Sequence, residues 1–262
     1  MECRLCEGNN LKLHYTQGNN DEYKFYLCAD CGLVNYDLSG GLNQEKYAEV
    51  YNDPFDIESK INKAQKISFD YFSKYARNSG SFLEIGCGNG YLLSLAQNSG
   101  HEVQGLELSG FLAKSVKETL GIDVKVDNFL SDNDLFDKKF DFVILRHVLE
   151  HLPNSVFALN KINNLLKPGG IALLEFPNIN AFKFKAQRLK QKIGLSKKKY
   201  KKNFVPGHCN EFSRKSFKYL SEETGFEILN RQTYSYKPVN NLIYSIFPLG
   251  NKTRVVIRKP FD

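Results

Sequence analysis

Four of the six cysteines and three of the five histidines stand at spacings that can do chemistry. Cys3-x-x-Cys6 and Cys28-x-x-Cys31 form two knuckles. In a reducing compartment such a pair reads as one tetrahedral zinc site rather than as disulfides, and four thiolates leave no place for a catalytic water. The zinc is expected to be structural. The 21 residues between the knuckles are few and polar, so this segment is expected to depend on the metal for folding. His14 falls within it, and His101 lies in a turn at the wrong end of a strand. His147, His151 and His208 remain as candidates for proton transfer. His147 and His151, four apart, are expected on one helix face, with no acid or third histidine nearby in sequence to complete a metal site. Cys87 and Cys209 stand alone, without a paired base that would make either a nucleophile.

A second chemical signal is the run Phe82-Leu83-Glu84-Ile85-Gly86-Cys87-Gly88-Asn89-Gly90. An apolar strand ending in a glycine loop and feeding a helix (Tyr91 to Gln97) brings bare backbone to a ligand at a helix N-terminus. The dinucleotide fingerprint would require glycine where Tyr91 stands. Glu84 would repel a pyrophosphate and suits a ligand carrying positive charge.

The elements around these residues alternate. Glu102 to Leu108 reads as a strand ending in Glu107, about 20 residues past the loop, where an acid can take both hydroxyls of a ribose. Val124 to Val126 places the polar pair Asp127–Asn128 after a third strand. Phe140 to Leu145 fits a buried parallel strand and runs into Arg146-His147-Val148-Leu149-Glu150-His151. A helix over Ser155 to Leu166, a stop at Lys167-Pro168-Gly169-Gly170 and a strand from Ile171 to Phe176 follow. Ser213 is a candidate N-cap for a helix ending at Thr224-Gly225, and Phe226–Thr233 and Thr253–Arg258 read as the last strands. Such alternation builds a doubly wound parallel sheet.

The E-x-G-x-G-x-G spacing, with these later intervals, resembles the class I S-adenosylmethionine-dependent methyltransferases over roughly residues 70 to 262. The resemblance implies an α/β, Rossmann-like fold with a seven-stranded sheet. It assigns S-adenosylmethionine to Glu84, Gly86, Cys87, Gly88, Glu107, Leu108, Asp127, Asn128, Arg146 and His147. The segment His208-Cys209-Asn210-Glu211-Phe212-Ser213 resembles the H-x-x-x-F-S stretch of bacterial small-molecule methyltransferases. These include nucleotide-sugar C-methyltransferases that also carry an N-terminal four-cysteine module. There the matching histidine is a proposed base, helped by a tyrosine three residues earlier and a glutamate just before it. Here Val205 and Gly207 occupy those positions, a departure that weakens the case for C-methylation. His208, with an imidazole titrating near neutral pH, is the expected general base, and His151 the second candidate.

At 262 residues and 42 % apolar, the chain can bury one good core plus a small appendage. Three units are expected: a zinc-binding module (1–40), a helical connector (41–78) with Ile67, Tyr71, Phe72 and Tyr75 at helical spacing, and the sheet domain (79–262). No apolar run reaches 18 residues and no signal-peptide core follows Met1, so a cytoplasmic protein is expected. The net charge of +7 is uneven: ten basic residues and no acids lie between Lys183 and Lys202, leaving 26 bases against 29 acids elsewhere. Within this basic insert (about 180–205), Phe182, Ala186, Leu189 and Ile193 recur along one helical stripe, broken by Gly194 and the Lys197–Lys199 run. The expected partner is a small anionic or nucleotide-linked acceptor rather than nucleic acid. By resemblance this would be a sugar-type precursor of a bacterial surface polysaccharide, methylated on oxygen. A sugar C-methyltransferase, an RNA methyltransferase and a catalytically silent zinc-binding interaction protein stand as alternatives.

Overall fold

Among the described residues, eleven strands and six α-helices form in the order the apolar periodicities demand. The computed structural model describes residues 1–43, 53–193, 195, 199–235, 244 and 250–261. Gly194 and Lys197–Lys198, expected to break the basic helix, and the 44–52 part of the connector lie outside the described residues. The large sheet contains β4 (Ser81–Ile85), β5 (Glu102–Glu107), β6 (Val124–Val126), β7 (Phe140–Arg146), β8 (Leu166–Pro177), β10 (Glu227–Tyr234) and β11 (Lys252–Arg258). Its order is β10-β11-β8-β7-β4-β5-β6. Strands β6, β5, β4, β7 and β8 run parallel, while β11 lies antiparallel between β8 and β10. This is a Rossmann-like α/β sheet of seven strands. The chain winds one way from β4 through β5 to β6 and the other way from β7 to β8. The β4–β7 boundary is therefore the switch point, outside whose carboxyl ends a ligand crevice opens.

Residues along β4 alternate between two cores. Leu83 and Ile85 join Val143, Leu145, Leu174, Phe212 and Phe217 on one face. Phe82 joins Phe72, Leu92, Leu93, Val116, Phe142 and Leu173 on the other, under α1 (Lys60–Phe72), α2 (Tyr91–Asn98) and α3 (Gly110–Leu120). Glu84 therefore points towards the α1–α2 face. Burying each such apolar side chain contributes about 1.5–3 kcal/mol, so Leu173→Ala, at a fully buried site, should cost about 2–5 kcal/mol. Helices start where polar side chains cap orphan amides. Ser59, Ser109 and Asn154 each accept from an amide three residues on. Ser213 forms a capping box with Ser216 at α6 (Arg214–Glu223). One element boundary differs from expectation. The Lys167–Gly170 segment does not stop the chain between α4 (Ser155–Leu165) and the next strand. It lies within β8, because Leu166 already pairs with Phe140 before the register shifts.

The N-terminal segment folds as a meander, β1 (Leu11–Gln17), β2 (Tyr23–Cys28) and β3 (Val34–Tyr36), and gains a fourth strand, β9 (Asn210–Glu211), from the far end of the chain. It is not without a core of its own. Phe25 stacks on Tyr15 and Tyr36 at ring distances of 4.5 and 4.9 Å, with Val34 and Ile179 beside them. Cys3, Leu5, Cys28, Cys31 and Leu33 continue into the core of the large sheet. The expectation that this segment is too polar to build a core is corrected: it packs Phe25, Val34 and Tyr36 together and borrows Ile179, Phe212 and Phe217. No helix among the described residues is long and apolar enough to cross a membrane.

Candidate active site

The glycine loop needs a backbone only glycine adopts cheaply: Gly86, Gly88 and Gly90 have φ of 72, 56 and 72°. A Cβ on Gly86 would come within 2.6 Å of Val148, and one on Gly90 within 2.8 Å of Val116. One on Gly88 would meet nothing within 4 Å. The first and third glycines therefore serve packing, whereas Gly88 faces open space. Glu107, at the end of β5, accepts from the Gly88 amide at 2.9 Å and the Ser109 amide at 3.1 Å. Its carboxylate thus shapes the loop, and lone pairs remain to accept from two hydroxyls.

Glu84 is 1 % exposed, and its Oε2 has no hydrogen-bond partner among the described residues. Burial pushes its carboxyl up to about 8; Glu107 and Glu175 add to this and Arg146 opposes it. A buried, orphaned carboxyl beside further acids suits an incoming ammonium. Arg146, at the end of β7, donates to Glu175 at 2.8 Å, and Ser68 of α1 donates to the same oxygen at 2.7 Å. Further along, Gln65 reaches Asn89 of the loop at 3.2 Å and Asn89 reaches Asn62 at 2.8 Å. Helix α1 is thereby fastened over the glycine loop. Asp127 and Asn128 turn on themselves after β6: Asp127 accepts from the Asn128 amide and Asn128 from the Leu130 amide. Leu108 just after β5, Phe111 in the first turn of α3 and Val126 at the end of β6 are all more than half exposed. Cys87 is fully buried in the α1–α2 core.

The segment after β7 is not the helix expected from the spacing of His147 and His151. His147 takes a left-handed φ of 55°, and Leu149–His151 form a single 3-10 turn that Pro153 prevents from continuing. The two rings consequently face different partners. His147 is caught between Glu150 (Nδ1 to Oε1, 3.1 Å) and Lys252 (Nε2 to Nζ, 2.5 Å). Nδ1 faces the acid and Nε2 the amine. Burial, reinforced by the charge of Arg146, pushes Lys252 down to about 8. Burial works to raise the Glu150 carboxyl, but the hydrogen bond from His147 together with the neighbouring His147, His208 and His151 rings holds it below its ordinary value. His151 instead donates from Nδ1 to the Gly207 carbonyl at 2.7 Å and meets the ring of His208 edge to face at 4.8 Å. The distant His208 thus joins the turn, and ligating atoms of Glu150, His151 and His208 all lie within 4.8 Å of one another. Such a group can pass a proton or hold a divalent cation. His208 departs from the expected neutral titration, because burial pushes its imidazole down to about 4.

The four knuckle sulfurs also converge. Cys3 and Cys31 lie 3.5 Å apart, Cys6 and Cys28 3.6 Å, and all four within 4.8 Å of one another. Zinc–sulfur bonds of about 2.3 Å place tetrahedral sulfurs about 3.8 Å apart, so the set fits a closed zinc site. The basic helix α5 (Phe182–Lys192) turns its apolar stripe outward: Phe182, Leu189 and Ile193 are 67, 59 and 57 % exposed. Arg188 reaches back, donating to the Ile179 carbonyl at 2.7 Å. Sequence reasoning missed Ser68, Glu175 and Lys252, which nothing local marks, and Glu150, whose place beside His151 was a usable signal.

Comparison with known proteins agrees with this geometry. A family model described as a methyltransferase domain matches residues 60–231. Ubiquinone biosynthesis O-methyltransferase of Nitrosospira multiformis is 26 % identical over 86 % of this chain and 93 % of its own length. The enzyme of the same name from Chromobacterium violaceum is 25 % identical, covering 78 % and 90 %. Among solved structures, an S-adenosylmethionine-dependent methyltransferase of Clostridium acetobutylicum superposes with a TM-score of 0.56 at 11 % identity, covering 78 % of this chain and 93 % of that one. The N-methyltransferase NodS of Bradyrhizobium japonicum, solved with S-adenosylhomocysteine, gives 0.55 at 14 % identity, covering 80 % and 94 %. With the family match spanning most of its length, the chain belongs to the methyltransferase domain family and is an S-adenosylmethionine-dependent methyltransferase.

Proposed function

We propose that the chain transfers a methyl group to a hydroxyl oxygen of a small molecule, with His208 as general base and His151 beside it. The observation that carries this reading is the Glu150–His151–His208 group, which stands at the end of β7 beside the switch point. When bound, S-adenosylmethionine supplies an electrophilic methyl on a sulfonium. Glu84 would take its ammonium, Glu107 its ribose hydroxyls, the Gly86–Gly88 backbone its middle, and Leu108, Phe111, Val126 and the Asp127–Asn128 turn its adenine. Arg146 and His147, held by Glu175 and Lys252, would line the methionine end. His208, neutral at working pH, can accept the acceptor's proton as the methyl group arrives. O-methylation is supported by the activity for which the Nitrosospira and Chromobacterium relatives are named. Cys3, Cys6, Cys28 and Cys31 are read as holding one structural zinc.

For the acceptor, we keep a phosphorylated or nucleotide-linked sugar of the surface-polysaccharide kind. The support is the lysine-rich helix α5, whose charge would attract an anion. A catechol, the kind of hydroxyl pair a divalent cation chelates, is the second reading. The 4.8 Å grouping of Glu150, His151 and His208 favours it, since a cation there would lower the hydroxyl's pKa directly. The test is incubation with S-adenosylmethionine and UDP-glucose, dTDP-glucose, 3,4-dihydroxybenzoate or total RNA, before and after chelation. A mass gain of one methyl on a nucleotide-sugar oxygen is expected. Transfer to the catechol alone, abolished by chelation, would replace the sugar with the second reading, and label recovered in RNA would overturn both.

A further inference from the structure

The segment that carries His208 is not held by the sheet domain alone. Strand β9 has two residues, too few to hold a register by themselves, so its place is set by what grips it. From one side the turn after β7 does so: the Cys209 amide donates to Glu150 at 2.9 Å, and Asn210 donates to Leu152 at 2.8 Å. From the other side the grip comes from the four-cysteine module. Asn210 and Glu211 pair with Asn35 and Val34 of β3, the Tyr36 amide donates to Cys209 at 3.0 Å, and Tyr15 donates to Glu211 at 2.7 Å. Upstream, Tyr23 donates to Phe204 at 2.6 Å, and Asn19 pairs twice with Tyr200.

Arg4 stands at the centre, between the two cysteines of the first knuckle. Its backbone amide donates to Asn35. Its guanidinium donates to the Tyr36 carbonyl at 2.9 Å, to Asn210 Oδ1 at 3.1 Å and to the Cys209 carbonyl. One planar fork thus ties β3 to the residue following His208, a task for which a lysine has the charge but not the geometry. We infer that the four-cysteine module is a positioning device for the acceptor side of the active site, and that Arg4 is the residue through which it holds the His208 strand. The inference rests on the reading of His208 given above, and it makes Arg4 a positioning residue rather than a catalytic one. It differs from a purely folding role for the module in being local. Loss of Arg4 should loosen residues 207–211 and leave the cofactor cleft, built by β4, β5 and α1, as it was.

The test uses the full chain as wild type, Arg4→Ala, Arg4→Lys and His208→Asn. Amide hydrogen exchange, zinc content and S-adenosylhomocysteine affinity are measured for each, and methyl transfer to UDP-glucose and 3,4-dihydroxybenzoate is followed. In Arg4→Ala, exchange at Cys209 should rise about 10–100-fold, the range of a strand that opens locally. Amides of β4 and β7, zinc content and cofactor affinity should stay within about threefold, and turnover should fall with KM for the cofactor unchanged. Arg4→Lys should fall between. Unchanged exchange at Cys209, or a rise spread evenly over the chain, would overturn the inference. His208→Asn separates the two claims: if that variant keeps full turnover, the reading of His208 fails, and the exchange data alone decide whether the module positions the strand.

Discussion

His151 and His208 meet edge to face with ring centres 4.8 Å apart, and the Gly207 carbonyl at 2.7 Å takes the Nδ1 proton of the first. His151 is thereby held with its Nδ1–H on Gly207, whereas His208 is kept neutral by burial, its imidazole lowered to about 4. The two adjacent rings thus differ: His151 is tied to the loop at Gly207, and His208 is the ring proposed to take the acceptor's proton.

Replacing His208 by Asn should lower turnover by about 10²–10⁴-fold while S-adenosylhomocysteine affinity stays within a few-fold. The same change at His151 should cost less, through loss of the anchor at Gly207. With His208 already neutral above about pH 5, the acid limb of the pH–rate profile should lie near 4 and not near 6.5. Losses under tenfold in both variants would mean that alignment alone carries the reaction.

Cofactor binding should expel a proton. Glu84 has a carboxyl raised to about 8 by burial, so it is mostly protonated at pH 7, and an arriving ammonium favours its charged form. Affinity should therefore strengthen as pH rises towards 8, by at most about tenfold per unit, and level off above it. For the unliganded protein the sign reverses. Between about 4.5 and 8 the folded state holds a proton the unfolded chain releases, so stability contributed here falls as pH rises through that window. Titration calorimetry in buffers of different ionisation enthalpy should show this proton release with S-adenosylhomocysteine, and Glu84→Gln should abolish it. Equal proton release in that variant would remove Glu84 from the site.

The glycine loop offers a contrast between function and packing. At Gly88, with φ of 56° and open space beyond, valine should cost about 1–2 kcal/mol of backbone strain yet abolish cofactor binding by filling the approach. At Gly90 a Cβ would strike Val116 and Leu120 at 2.8 and 3.0 Å, so Gly90→Val should lower the unfolding temperature more than Gly88→Val does. Thermal unfolding beside calorimetry reads both. Full cofactor affinity in Gly88→Val would refute the assignment.

What could be read from sequence followed the range of the interactions. The β4 loop was legible because an apolar run, an acid and three glycines within nine residues each need one backbone shape, and β5 and β7 follow at intervals set by crossover helices. Glu175 and Lys252 were not legible. Each becomes part of the site only through neighbouring strands, β8 beside β7 and β11 beside β8, an order that local periodicity does not encode. The pairing of β9 with β3 joins residues on opposite ends of the chain, so a module that reads as an appendage is packed against the site. His147 shows the limit from the other side: four-residue spacing with His151 suggested a helix, but a left-handed φ at His147 and Pro153 beyond leave only a turn.

The charge on α5 makes the final prediction. The helix points Phe182, Leu189 and Ile193 outward among lysines, so its charge is available to a partner in solution. If that partner is a phosphate-bearing metabolite with one or two charges, raising salt from about 50 to 200 mM should weaken acceptor KM only modestly. Contact with many RNA phosphates would instead cost about 10³–10⁵ in affinity over the same range. Lys183→Gln, Lys185→Gln and Lys190→Gln combined should raise KM for UDP-glucose several-fold, with cofactor affinity unchanged, since α5 takes no part in the glycine loop. Chemistry at His208 should also be untouched, so kcat at saturating acceptor should hold. A steep salt slope would move the acceptor to nucleic acid, and an unchanged KM in the triple variant would leave α5 a solvated face with no part in acceptor capture.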